Sequence, residues 1–213
     1  MASMLVRSLT PIKLSPVPLD GYINTKLPTG LNLEVVDAVV RLANRVRSNE
    51  NAVHGALFVI VPPGTLVTDI GDLLDAGGHV IGFITDNHNV LKDIDEKMRS
   101  ILSWDGAIVV DGASGTILAV RLKISSPRGV FVFEGRGTKH NSAANYCEHY
   151  PSLCVIRSDD GMLTLISSET IKSGDAYHLD PVTHTPSFPY RLHQVILVML
   201  LFRISAGYSI TAN

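Results

Sequence analysis

GRGTKHNSAANYCEHYPSLCVIRSDDG, residues 135–161, joins a glycine-rich turn and a basic pair to a short helical pattern and a buried apolar run. The pattern predicts a helix over about residues 139–149, and LCVIR and MLTLI on either side of SDDG predict a β-hairpin. Such an order is typical of an ordinary helix after a solvated loop. It is equally typical of a phosphate-binding helix start that leads into a second group of polar residues.

Helical and strand patterns also alternate in the sequence before this stretch. Residues 31–50 place apolar side chains at helical spacing opposite a charged stripe, and residues 89–102 predict a second helix. The runs typical of strands are GALFVIV (55–61), HVIGFI (79–84), AIVVD (107–111), TILAV (116–120) and VFVF (130–133). Two predicted hairpins interrupt the parallel order. The expected fold is therefore α/β, a single domain whose mixed-strand central sheet is flanked by helices.

The composition is that of one folded domain. The chain has 213 residues, of which 46% are apolar and 18% charged, and its net charge is −2. This length supports one substantial core, and the charge balance argues against a basic nucleic-acid surface, so a nucleotide would need a local site. We expect an N-terminal extension over residues 1–30, the domain over 31–175, and a linker with an apolar C-terminal segment over 176–213.

Signals for a membrane or for secretion are weak. Prolines interrupt the N-terminal region where a signal peptide needs a continuous apolar core, and the apolar run VILVMLLF (195–202) is too short to span a bilayer. Cys147 and Cys154 form neither a disulfide framework nor a metal-ligand quartet, so both are expected to be reduced. These features predict a cytoplasmic protein.

Generic nucleotide and hydrolase motifs are absent from the sequence. There is no G-x-x-x-x-G-K-[ST] and no G-x-G-x-x-G between a strand and a helix. Ser114, in DGASGT, lacks the spacing of a hydrolase nucleophile and is expected in a hairpin turn. No H-x-x-x-H pair occurs on a predicted helix, so no zinc site is expected.

Two short segments at the ends of predicted elements remain as candidate sites. Asp105-Gly106-Ala107 precedes a strand, where the glycine would allow close approach by a ligand. On spacing alone, a carboxylate that caps or turns the chain is the preferred interpretation of Asp105.

The second segment is the glycine-flanked helix start. Gly135 and Gly137 would permit unusual backbone angles, and Thr138 or Ser142 would cap the helix. Backbone N–H groups at such a start, beside a lysine and a histidine, form a phosphate cradle. A plain capped helix is the alternative.

Taken together, the two segments resemble the diadenylate cyclase domain, in particular the DNA-integrity-scanning type, which makes cyclic di-AMP. The family pattern is D-G-A, then G-T-R-H-R about thirty residues later, then a strand that ends in S-E before a hairpin. The corresponding residues here are Asp105, Gly106, Ala107, Gly137, Thr138, Lys139, His140, Asn141, Ser158 and Asp159. The resemblance covers roughly residues 50–167, and GALFVIV resembles the domain's early strand.

The resemblance implies ATP as substrate, a divalent metal ion (Mg²⁺ or Mn²⁺) and a homodimer, or a higher homo-oligomer, whose subunits meet face to face. Asp105, with Gly106 and Ala107, would form the catalytic segment and would help to deprotonate or orient a ribose 3′-hydroxyl for attack on the α-phosphate of the other ATP. Residues 137–141 and Ser158 would bind phosphate. Asp105 and Asp159 would hold the metal. ATP or cyclic di-AMP is the expected ligand, and nucleic acid is not.

Two departures from the family pattern leave the function open. Lys139-His140-Asn141 replaces R-H-R, so one positive charge and both guanidinium forks are missing, unless Arg136 or Arg157 substitutes. Asp159 is shorter than the usual glutamate by one methylene. One hypothesis is an enzyme that condenses two ATP molecules into cyclic di-AMP. The others are a catalytically weakened nucleotide-binding sensor, and a fold kept only for assembly through its dimer face.

Overall fold

The structure is a computed structural model that describes residues 10–17, 27–47, 55–74, 80, 82–85, 88–92, 105–124, 131–133, 137–159 and 162–179. All of them belong to one unit, Met1–Asp180. Most of the helix predicted over residues 89–102 lies outside the described residues, as does the apolar run at 195–202. No helix in the described part of the chain is long and apolar enough to cross a membrane.

The described helices and strands alternate along the chain as the sequence predicts. In chain order they are β1 (Thr10–Pro11), β2 (Lys13–Val17), α1 (Leu33–Arg47), β3 (Ala56–Val61), α2 (Val67–Ile70), β4 (Gly71–Asp72), β5 (Phe83–Ile84), β6 (Ala107–Asp111), β7 (Ile117–Ile124), β8 (Phe131–Val132), α3 (Thr138–His149), β9 (Leu153–Arg157), β10 (Leu163–Ser167), α4 (Ser168–Ile171) and β11 (Asp175–Leu179).

Nine of the described strands form one mixed sheet. Its order is β2-β11-β10-β9-β3-β6-β7-β4, and β5 also pairs with β7. β3 and β6 are parallel, whereas β6–β7 and β9–β10 are the two antiparallel hairpins expected from the sequence. The predicted α/β fold with a mixed sheet is therefore confirmed.

The core lies on both faces of this sheet because β3 is buried along its whole length and its side chains alternate between the two faces. Phe58 and Ile60 pack on the same side as the apolar stripe of α1. Leu57 and Val59 pack on the opposite side with the inner face of α3. Burial of one such side chain contributes about 1.5–3 kcal/mol, so both helices are fixed to the sheet mainly by apolar packing.

Two predicted strands are shorter than their sequence patterns suggest. Of HVIGFI only Phe83–Ile84 is a described strand, and both side chains are exposed, so this run is an edge rather than a buried strand. VFVF contributes Phe131–Val132, which pairs in parallel with Thr10–Pro11 in a separate two-stranded sheet.

The main sheet includes residues on both sides of the expected domain boundaries at 30 and 175. Lys13–Val17 pairs in parallel with Asp175–Leu179 at one end of the strand order. Pro16 lies inside this first segment, and an edge strand tolerates proline because one side of its backbone has no partner strand.

Candidate functional site

The topology brings the D-G-A segment and the Ser158-Asp159 pair to one edge of the sheet. Asp105 and Gly106 directly precede β6, and Ser158 and Asp159 directly follow β9. β3 joins them: it is parallel to β6, with Leu57 opposite Ala107, and antiparallel to β9, with Ala56 opposite Arg157. The start of β6 and the end of β9 therefore lie at the same edge, on either side of the start of β3.

The start of α3 lies against this edge through an ion pair. Lys139 Nζ is 3.2 Å from Asp105 Oδ1, and the Lys139 side chain is 29% exposed, whereas that of Asp105 is 81% exposed. The pair joins the D-G-A segment to the segment that corresponds to G-T-R-H-R. The two segments thus form one surface with an exposed carboxylate and a partly buried ammonium group.

The helix start differs in detail from the sequence-based expectation. Gly137 is the N-cap, with φ −72° and ψ 175°, and no side-chain cap hydrogen bond is made. The prediction that Thr138 or Ser142 caps the helix is therefore wrong, because Thr138 is its first residue and Ser142 lies within it. Gly137 also has an ordinary extended backbone rather than an unusual one, while Gly135 lies outside the described residues. First-turn N–H groups without a side-chain cap are suited to an anion.

His140 lies in the interior beneath the helix start, with only 4% of its surface exposed. Its Nε2 is 3.2 Å from Thr164 Oγ1 and 3.4 Å from Ser158 Oγ. Its ring packs edge-on against Phe133, with centroids 5.3 Å apart. The imidazole therefore links α3 to the β9–β10 hairpin and determines where the helix start lies relative to Ser158.

Asn141 and Asp159 each bind a backbone N–H group from another part of the chain. Asn141 Oδ1 accepts a hydrogen bond of 2.8 Å from the N–H of Phe133, just after β8. Asp159 Oδ1 accepts a hydrogen bond from the N–H of Gly55, just before β3. Both side chains therefore help to build the edge of the sheet, in addition to any contact with a ligand.

Gly106 is required by the protein itself. Its φ is +107°, which L side chains rarely adopt, and a Cβ at this position would lie 2.7 Å from the Cα and carbonyl carbon of Arg121. The sequence alone suggested that this glycine admits a ligand, whereas the structure shows the backbone of β7 against it. Ala107, the next residue, is 1% exposed and belongs to the core.

The inner face of α3, which includes Tyr146 and Cys147, packs against one face of the sheet and so orients the helix. Tyr146 is buried and its ring stacks on Tyr150, with centroids 4.9 Å apart; burial raises the pKa of the Tyr146 phenol. Cys147 and Cys154 are free, buried thiols whose Sγ atoms are 3.5 Å apart. The hydrogen bond with Cys147, followed by burial, raises the pKa of the Cys154 thiol well above its ordinary value.

The carboxylates at the edge fit a hard divalent cation that is shared with a ligand. Within the described residues no group of three His, Cys, Asp or Glu side chains could hold a metal ion alone. Asp105 and Asp159 supply oxygen atoms on either side of the start of β3. Magnesium is commonly bound by one or two carboxylates together with substrate phosphates and water. Two carboxylates are therefore compatible with a cation that arrives with a nucleotide.

Several residues that shape this edge carry no signal in the local sequence. Thr164 contacts His140, Gly55 contacts Asp159, and the backbone of Arg121 contacts Gly106. Each contact depends on strand register or on pairing between distant strands.

Comparison with known proteins gives structural matches only. No family model matches the chain, and no curated protein matches it. A hypothetical membrane spanning protein from Bacillus cereus matches with a TM-score of 0.51 and 18% identity, over 69% of this chain and 64% of that protein. This chain thus spans less than two thirds of that protein's length.

A second match is DacA from Staphylococcus aureus, in the form of a double mutant, with a TM-score of 0.48 and 17% identity, over 68% of this chain and 85% of that one. The match to the Bacillus cereus protein shows a shared fold.

Proposed function

We propose that this chain binds ATP at the edge formed by Asp105, Lys139 and Ser158, and condenses two ATP molecules into cyclic di-AMP. The observation that carries the proposal is the distance of 3.2 Å between Lys139 Nζ and Asp105 Oδ1. It places a phosphate-compatible cation directly beside a carboxylate that is available to solvent. Attack of a ribose hydroxyl on an α-phosphate is assisted by a carboxylate near the hydroxyl and by positive charge near the phosphates.

Asp105 acts on the attacking hydroxyl in this proposal. Its carboxylate is 81% exposed, so a ribose 3′-hydroxyl can reach it without a rearrangement of the sheet. The carboxylate accepts a hydrogen bond from that hydroxyl and orients it, or removes its proton as the bond to phosphorus forms. The 3′ oxygen then displaces pyrophosphate from the α-phosphate of the second ATP.

Lys139 and the first turn of α3 bind the triphosphate. In the free protein the Lys139 ammonium faces Asp105, and an incoming phosphate competes for the same ammonium. Gly137 has no side chain to occupy the first-turn N–H groups. The His140 N–H donates to the Gly137 carbonyl oxygen, and the N–H groups of Thr138 and Lys139 are the donors proposed for phosphate oxygens. Ser158 Oγ, held next to His140 Nε2, is the neutral donor at the opposite side of the site.

Asp105 and Asp159 would hold the divalent cation, Mg²⁺ or Mn²⁺, together with phosphate oxygens. A bound cation would neutralise phosphate charge that Lys139 alone does not balance. Since Asp159 also binds the Gly55 N–H through Oδ1, its second oxygen is the one directed to a cation in this proposal.

The second candidate function is a nucleotide-binding sensor of the same fold. It is favoured by Asn141, whose side-chain oxygen binds the Phe133 N–H where the family pattern has an arginine. A neutral amide committed to the backbone adds no charge to the phosphates, which lowers the expected rate more than it lowers binding. For both candidate functions we propose a homodimer in the cytoplasm.

Incubation of the purified protein with ATP and Mn²⁺, followed by chromatography of the products, tests the first candidate. Formation of cyclic di-AMP supports it, and intact ATP after prolonged incubation contradicts it. A rise in Tm with ATP or cyclic di-AMP but no product supports the sensor. No shift with either nucleotide contradicts both candidates. For the variant Asp105→Asn, the matched control is Asp37→Asn, because Asp37 is an exposed carboxylate on α1 that forms an ion pair with Arg41.

A further inference from the structure

Arg121, on β7, has a backbone conformation that is unfavourable for its residue type. Its φ is +58°, and among the residues that the structure describes it is the only non-glycine residue with a positive φ. At positive φ the Cβ of a non-glycine residue crowds the neighbouring backbone, so the surrounding structure must impose this conformation. Residues strained in this way cluster at functional sites, where the strain positions a side chain.

The conformation arises from an extra residue in β7. Ala107 pairs with Leu122, and Val109 pairs with Ala119, so three steps on β7 lie opposite two steps on β6. In a regular strand, residues on either side of Arg121 would face the same way. Here Val120 packs in the core on the α1 side and Leu122 on the α3 side. Arg121 is therefore the centre of a β-bulge, a feature that redirects side chains beside active sites.

A glycine directly precedes each of the two strands beside this bulge, β6 and β5. A Cβ on Gly106 would lie 2.7 Å from Arg121 Cα, and a Cβ on Gly82 would lie 3.1 Å from the Arg121 carbonyl oxygen. The absence of a side chain at Gly106, in the D-G-A segment, leaves room for the Arg121 backbone on one side. The absence of a side chain at Gly82, just before β5, leaves room for it on the other side.

The bulge brings the backbone of Arg121 next to the proposed site. Arg121 Cα lies 2.7 Å from the position that a Cβ on Gly106, the residue after Asp105, would occupy, and Arg121 is exposed. In the same area Asp105 and Lys139 largely cancel each other's charge. Even with a divalent cation held by Asp105 and Asp159, the site has less positive charge than a nucleoside triphosphate has negative charge. A guanidinium would add positive charge and bind phosphate oxygens in pairs.

We propose that Arg121 is a phosphate-binding residue, whose guanidinium contacts the phosphates of the nucleoside triphosphate held beside Asp105 and Lys139. This rests on the proposed function. It assigns to β7 the positive charge that Asn141 does not provide at the start of α3. The strained backbone at the bulge is the structural feature that holds Arg121 beside Gly106.

Arg121→Gly separates the two effects of this residue, because glycine adopts positive φ without strain and removes the charge. We expect the variant to have a higher Tm than the wild type, yet to bind ATP roughly tenfold more weakly by calorimetry. Adenosine binding is expected to stay unchanged, and the salt dependence of ATP binding to become shallower. Arg121→Lys keeps the charge and is expected to recover part of the affinity. Lys123→Ala, an exposed cation two positions along the same strand, is the matched control and should bind ATP as the wild type does.

The outcomes distinguish this inference from the function on which it rests. If the wild type and Arg121→Gly bind ATP equally, Arg121 does not contact phosphate, while the proposed site stands. If Arg121→Gly has a lower Tm and loses ATP and adenosine alike, the residue has only a structural role and the inference is wrong. If the wild type binds neither ATP nor cyclic di-AMP, the proposed function fails, and the assignment of Arg121 fails with it.

Discussion

Lys139 Nζ and Asp105 Oδ1 are 3.2 Å apart, although the two residues belong to segments separated by the whole β6–β7 hairpin and by β8. The Asp105 side chain is 81% exposed, and an exposed pair of this kind contributes about 0–1 kcal/mol to stability. The pair is therefore not needed to keep the fold. Its importance is that a change in either residue alters the surface charge at the sheet edge while the core beneath it stays intact.

Asp105→Asn is expected to abolish formation of cyclic di-AMP and to leave ATP binding largely intact. The amide cannot accept a proton from the 3′-hydroxyl, whereas Lys139 and the first turn of α3 remain available to phosphate. Product chromatography and calorimetry on the same preparation measure the two effects. The control Asp37→Asn removes an exposed ion pair on α1 and should change neither. Full cyclase activity in Asp105→Asn would remove this carboxylate from the mechanism.

Lys139→Arg is expected to tighten ATP binding and to raise any cyclase activity, because a forked donor replaces a point charge.

Asn141→Arg also adds positive charge, but it removes the acceptor for the Phe133 N–H. Loss of this hydrogen bond should lower the free energy of unfolding by about 1 kcal/mol. The two changes therefore need to be measured separately, by calorimetry and by denaturant unfolding.

Asn141→Asp is the control for the backbone contact, since it keeps an acceptor oxygen and adds no positive charge. It should retain more stability than Asn141→Ala. Equal stability of these two variants would show that the bond to Phe133 contributes nothing. If neither Lys139→Arg nor the double variant Lys139→Arg/Asn141→Arg changes the affinity for ATP or for cyclic di-AMP, residues 137–141 are only the start of a helix.

Two glycines that look alike in sequence are expected to respond differently to alanine. Gly106→Ala should lower the free energy of unfolding by more than about 1 kcal/mol, because the new Cβ meets the Arg121 backbone at 2.7 Å and φ is +107°. Gly137→Ala should be well tolerated, because nothing lies within 4 Å of its Cβ and its φ is −72°. Urea unfolding of both variants measures the difference. Similar losses in both would contradict the bulge geometry at Arg121.

The main elements were predictable because their patterns are local. The apolar stripe of residues 31–50 predicted α1, and the fully apolar run from Ala56 to Val61 predicted a buried central strand. The two hairpins followed from apolar runs on either side of glycine-containing turns, and they determined that the sheet is mixed.

The parts that could not be predicted depend on partners elsewhere in the chain. Lys13–Val17 contains a proline and shows no strand alternation, yet Asp175–Leu179 supplies a partner for it. The bulge at Arg121 depends on the register between β6 and β7, which no local pattern specifies. The resemblance to the diadenylate cyclase domain implied that Asp105 and residues 137–141 contribute to one site, and Lys139 lies 3.2 Å from Asp105. The resemblance did not predict that Asn141 and Asp159 each bind a backbone N–H group.

Cys147 and Cys154 are expected to react very slowly with iodoacetamide in the folded protein at pH 8. Both thiols are buried, the pKa of Cys154 is raised, and alkylation requires the thiolate. Because the folded Cys154 thiol is harder to ionise than the unfolded one, its contribution to stability is complete below about pH 8.5 and is lost as the pH rises above that value. Mass spectrometry after timed labelling, with and without urea, measures the protection. Rapid labelling without urea would contradict the burial of this pair.

Self-association is the final expectation, and it follows from the proposed reaction. Joining two ATP molecules through two 3′–5′ bonds requires two nucleotides that face each other, and each chain has one edge with Asp105 and Lys139. Turnover per subunit should therefore rise with protein concentration and level off once the dimer is saturated, with Asp105→Asn subunits lowering the activity of mixed dimers. Sedimentation measurements over the same concentrations, with and without ATP, give the fraction of dimer to compare with the rate. A protein that stays monomeric with ATP and has the same turnover at every concentration would exclude a site shared between two subunits.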